Sequence, residues 1–314
     1  MYFPFITKRS DTYDQRLYRR KGGGGGGKSG GSGGKSSGSG GKSSGSGSKS
    51  SGSSGGIKPG RSSTPITTAG TSTSATTYGA GGGRALAIPS GQLFAGRLAG
   101  GGTRDQVYGD RVYGSGYPGI VGRGTAGRGF PFIFWPLAWG GVGYGGSSAY
   151  LHTTEYGRFD NTSRPGGIMM TAAFTSSSQN TTFRIVADNT TVSSLILNIV
   201  ANCSSDITSP STITSSTFND SLASPKPEQT VQYYRASTVS LTLDGYNNTG
   251  VLEADGTPDT PLPTNIDTKL LSCLNATIGE AVPLIGSAGL QWTVPPSIGL
   301  ISFAWVLWCL TSMF

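Results

Sequence analysis

Apolar residues are thinly scattered over the first 128 positions and fall into regular patterns only beyond residue 166. Ile168 to Thr175 and Thr182 to Ala187 read as two strands joined by the polar loop Ser176 to Thr181, which predicts a β-hairpin. Val192, Leu195, Ile196, Ile199 and Val200 then recur at helical spacing, while their β-branched content leaves a strand open. After a Ser/Pro-rich excursion from Ser204 to Glu228, Val239, Leu241 and Leu243 alternate in a strand that ends at Asp244-Gly245 and extends back through VQYYRAS. The clearest helix comes last: Thr264 and Asp267 as a capping pair, Ile266, Leu270, Leu271, Leu274 and Ile278 as its apolar face, and Gly279 as its stop. The order β-β-α-β-α over residues 166–285 predicts an α+β fold, a small antiparallel sheet with two helices on one face.

The rest of the chain divides by composition. Residues 129–165 are aromatic and Gly-rich and contain FPFIFWPLAWGGVGY, whose prolines and glycines break any helix well short of a membrane span. This strip either docks on the folded domain or lies exposed to a membrane, a wall polymer or another copy; docking is preferred, because two Trp and three Phe in the open would aggregate. Residues 61–128, first Ser/Thr-rich and then Gly/Arg/Tyr-rich, are expected to be disordered. Arg123 and Arg128 alone do not make an Arg-Gly tract, so no specific nucleic-acid partner is expected. Residues 21–60 form a Gly/Ser/Lys tether with lysines at 21, 28, 35, 42 and 49, preceded by a basic segment, 1–20. Gly22 to Ser29 matches the phosphate-loop pattern letter for letter, but no apolar strand precedes it and no helix former follows it.

Charge follows the same division. The net +8 arises from a basic beginning, since residues 1–61 hold twelve Lys or Arg against Asp11 and Asp14, whereas residues 166–314 hold four against ten acids. The single histidine, His152, excludes paired-histidine metal sites, and no cofactor is implied. The three cysteines, Cys203, Cys273 and Cys309, contain no C-x-x-C. Cys203 ends one predicted helix and Cys273 lies in the other, so the two can bridge if Cys309 leaves the mature chain.

Residues 286–314 bear on that condition. They are uncharged and close on an apolar run, Ile298 to Phe314, preceded by small residues and a spacer, the pattern of a glycosylphosphatidylinositol signal with Gly286 or Ser287 as the attachment residue. The alternative is a retained helix at the short limit for a membrane span. N-x-[ST] sequons occur at Asn161, Asn180, Asn189, Asn202, Asn219, Asn247 and Asn275, seven of the ten asparagines. Tail and sequons together predict a membrane-anchored extracellular protein. The first residues lack the apolar core of a signal peptide, so either the start lies upstream or the chain inserts by its tail, and the sequons favour the first.

The segments WPLAWGGVGYGG, SRPGG, ADNTTVSSL, VQYYRAS, LTLDGYNN, PDTPLP and CLNATIGEAVPL resemble a family of uncharacterised extracellular proteins of mushroom-forming fungi with glycine-rich N-terminal halves. The resemblance covers about residues 105 to 285 and implies secretion and a shared domain, with no activity attached. The expected function is a non-enzymatic cell-surface glycoprotein, structural or adhesive, held at the membrane by its C-terminal tail or a lipid anchor, with wall polymers or self-association as its contacts. Its rival is a wall-polysaccharide enzyme using a pair among Asp160, Asp188 and Asp244, although turn and cap roles suit those residues better. A tail-anchored cytosolic RNA-binding protein is the remaining alternative.

Overall fold

The computed structural model describes residues 61–286, apart from residues 69, 141–146, 153–154 and 221–224. The expectations for the basic segment, the tether and its phosphate-loop match, Ser287, the apolar tail and Cys309 lie outside the described residues. Nine strands and two α-helices are described: β1 Ser63–Thr68, β2 Thr71–Thr76, β3 Leu86–Ala87, β4 Leu98–Ala99, β5 Met169–Thr175, β6 Thr182–Asp188, α1 Asn189–Cys203, β7 Ser216–Thr217, β8 Thr230–Tyr234, β9 Val239–Leu243 and α2 Thr268–Ala281.

The centre is a five-stranded sheet in the order β7-β5-β6-β9-β8, antiparallel throughout. Alternation along the strands sends Phe174, Phe183, Ile185 and Leu241 to one face, where they meet Leu195 and Ile199 of α1 and Leu270, Leu274 and Ile278 of α2. Both helices therefore share one side of the sheet, as expected. Met169, Val186 and Tyr233 point to the other face and are covered by Tyr113, Leu137, Trp139 and Leu151, which come from the region before the sheet. The aromatic strip is docked, with every residue from Phe132 to Trp139 buried.

Residues 61–128 depart from expectation. They carry two hairpins, β1 with β2 and β3 with β4; Ile66, Ala75, Ile88 and Ala99 are buried against Phe130, Ile133, Phe134 and Trp135, while Val107 and Tyr117 join the helix-side core. Each element supplies one or two apolar contacts, too few to register as a core in sequence, and the aromatic strip supplies the rest. Glycine permits the close backbone approaches: Gly114 sits at φ 100°, and a Cβ there would lie 2.6 Å from the Gly124 carbonyl oxygen.

Three local expectations also change. VQYYRAS is not one strand with the residues that follow, because β8 stops at Tyr234 and the chain turns through Arg235, Ala236 and Ser237 at φ 51°, 51° and 57° into β9. With no glycine or asparagine in the turn, the sequence carries no turn signal. The N-cap of α2 is Asp267 itself, whose carboxylate accepts from the amides of Lys269 and Leu270 at 3.0 and 2.9 Å, while Thr264 lies exposed outside the helix. Gly279 is not a stop; it is buried inside α2, where a Cβ would strike the ring of Tyr108.

Candidate binding cleft

The β1–β2 hairpin, the aromatic strip and the loop 162–167 enclose a cleft of about 980 Å3, with Ile66, Phe130, Ile133 and Trp135 on its apolar wall. Thr67, Ser72, Gln92, Thr162 and Ser163 are among its polar lining residues. Arg164 is the one charged residue among the described lining residues. It is only 4% exposed.

The SRPGG loop fixes that arginine. Gly166 has φ 86°, and a Cβ there would lie 2.1 Å from Asp188 Oδ1, so glycine lets the loop settle against the start of α1. The Arg164 guanidinium donates from Nη2 to the carbonyls of Pro136 and Trp135 at 2.6 and 3.2 Å, and from Nη1 to that of Tyr156 at 3.4 Å. Its Nε has no hydrogen-bond partner among the described residues, and neither does the Thr68 hydroxyl. Burial lowers the arginine to about 10, against the field of Asp188, so it remains charged at neutral pH.

Asp188 is already committed elsewhere. As N-cap of α1 it accepts from the Thr191 amide at 2.9 Å and the Thr191 hydroxyl at 2.7 Å, and it pairs with Arg235 Nη2 at 2.9 Å. Arg235, fully buried, also donates to the Pro283 carbonyl and to Thr238 Oγ1, both at 2.6 Å, and lies 3.5 Å over the Phe134 ring. Two buried guanidinium groups thus stand near one carboxylate, leaving a surplus positive charge beside the cleft. The helix end contributes no free donor, since the amides of Asn189 and Thr190 donate to the carbonyls of Ile168 and Gly166.

Among the residues singled out in sequence, Cys203 and Cys273 are joined in a disulfide with Cα atoms 5.9 Å apart, tying α1 to α2. Asn180, Asn189, Asn202, Asn219 and Asn247 are exposed, and Asn161 and Asn275 are half-buried. Gly286 forms the last described bridge, opposite Gly82. The three aspartates are not brought together as a pair; each has its own arginine, Asp160 with Arg158 at 3.4 Å, Asp188 with Arg235 and Asp244 bidentate with Arg184 at 2.9 Å. His152 Nδ1 lies 2.7 Å from the Trp139 carbonyl oxygen. Arg123 donates to the Glu253 carbonyl, and Arg128 lies over the Tyr117 ring, so both serve packing.

Sequence reasoning did not single out Arg164, Thr68 or Arg235 as site residues. The one available signal was that SRPGG, ADNTTVSSL, VQYYRAS and CLNATIGEAVPL each contribute a member of the buried charged cluster: Arg164, Asp188, Arg235 and the Pro283 carbonyl. Among the described residues, no group of three or more His, Cys, Asp or Glu could hold a metal, and no helix is long and apolar enough to cross a membrane. Comparison of the chain with protein families, curated proteins and solved structures finds no significant match.

Proposed function

We propose that the chain is a non-enzymatic cell-surface glycoprotein with an adhesive or structural role, held at the membrane through its C-terminal segment and presenting the disulfide-closed α+β domain outward. The observation that carries this reading is the Cys203–Cys273 bond, because such a bond persists in an oxidising compartment. The exposure of five of the seven sequon asparagines supports the same compartment, as does the resemblance of residues 105 to 285 to secreted fungal proteins. The pairing of Asp160, Asp188 and Asp244 each with its own arginine supports structural roles for them, and an adhesive role needs only a surface or cleft that holds a ligand. Labelling intact cells with a membrane-impermeant amine reagent tests the reading: modification of Lys226 or Lys269 is expected, whereas labelling only after lysis overturns it.

A further inference from the structure

The cleft has features that select a ligand. Its described lining holds one cation and no acid, and the nearby carboxylate, Asp188, is taken up by Arg235 and by the cap of α1. An anion is therefore favoured, and a singly charged one: no second cation lines the cleft, and the amides of the adjacent helix end have partners, so a phosphate dianion would be poorly matched. The body of the ligand follows from the other walls. An alkyl chain would set hydrocarbon against polar lining residues such as Gln92, Thr162 and Ser163, which is costly for each group left unpaired. A sugar ring offers both what the walls ask for, hydroxyls for the threonines and serines and C–H faces for Ile133 and Trp135.

We propose that this cleft binds an acidic sugar, a hexuronic-acid unit of a polysaccharide, with its carboxylate in the field of Arg164 and its hydroxyls toward the exposed Thr162 and Ser163. The choice of a polysaccharide rests on the adhesive reading above; the preference for a single negative charge rests on the cleft alone.

The test is isothermal titration of the full-length protein with a trimer of galacturonic acid and, separately, with its methyl ester, which keeps the sugar and removes the charge. The acid is expected to bind at least tenfold tighter than the ester at low salt, with the difference shrinking as salt rises. Because Arg164 also holds three backbone carbonyls, the decisive variant is Gln92→Glu, at an exposed lining position whose hydrogen bonds there run through the backbone. It should weaken the acid at least threefold while leaving the ester's affinity and the melting temperature unchanged. Equal binding of acid and ester, absence of binding by either, or indifference of the acid to Gln92→Glu would overturn the proposal. A chain that carries N-glycans but ignores the trimer overturns the site alone; one that binds the trimer yet carries no glycans overturns the cell-surface reading alone.

Discussion

Arg235 receives no solvent and is held by partners from four parts of the chain: Asp188 and Thr191 at the start of α1, Thr238 after its own turn, the Pro283 carbonyl beyond α2 and the face of Phe134. Removing its guanidinium leaves Asp188 buried with one fewer donor, so Arg235→Ala should lower the unfolding free energy by about 3–5 kcal/mol, the usual cost of breaking a buried pair from one side. Denaturant unfolding checks this, and a loss below about 1 kcal/mol, the scale of an exposed pair, would contradict it. Asp267 gives a pH-dependent counterpart. Burial pushes its carboxyl up, but hydrogen bonds from Ser176, the Leu270 amide, Ser178 and the Lys269 amide outweigh burial and leave it below the ordinary carboxylate value. A depressed carboxyl stabilises the fold above its unfolded pKa and loses that contribution as pH falls through the folded one. Asp267→Ala should therefore cost about 1–2 kcal/mol at pH 7. That gap should narrow in thermal melts below about pH 4. Asp267 was legible as part of a cap because an acid three residues after a threonine, ahead of an apolar run, is a start signal; that it caps alone depends on its burial beneath Ser176 and Ser178.

At the scale of elements, periodicity is what sequence exposes best. The hairpin β5–β6 and both helices follow from their apolar spacing, since half-buried elements must repeat with their own geometry. The β8–β9 turn was hidden for the opposite reason: three residues that seldom adopt positive φ do so here, at about 1–2 kcal/mol each for the left-handed conformation. They are held by tertiary bonds such as Gly114 N to Ser237 Oγ at 2.9 Å and Leu137 N to the Ser237 carbonyl at 2.9 Å. The cleft was illegible for a related reason, because its walls come from hairpin, strip and loop segments far apart in sequence. The SRPGG loop makes the dependence measurable. Gly166→Ala should destabilise the protein by about 1–3 kcal/mol, from a methyl forced against the Asp188 carboxylate and from alanine held at φ 86°. A serine or alanine tolerated there with no change in melting temperature would show that the loop does not sit against the helix cap.

Across the described residues, the sheet carries two disulfide-linked helices on one face, and residues 61–128, which composition had assigned to disorder, contribute to the packing on both, Val107 and Tyr117 on the helical side and Tyr113 on the other. Composition misled because the aromatic strip supplies the apolar surface against which the sparse apolar residues of 61–128, such as Ile66 and Ile88, are buried. The Cys203–Cys273 bond closes a loop across the helical side. Replacing both cysteines by serine should lower stability by about 2–4 kcal/mol, read as a lower denaturant midpoint with a steeper slope, because the unlinked unfolded chain exposes more surface. Maturation of this domain in the secretory pathway, as proposed, is tested by treating the native protein with an enzyme that strips N-glycans and mapping the released sites by mass spectrometry. The predicted result is a clear fall in apparent mass, with occupancy at the exposed Asn180, Asn189, Asn202, Asn219 and Asn247 exceeding that at the half-buried Asn161 and Asn275. An unchanged mobility, with every sequon asparagine unmodified, would contradict it.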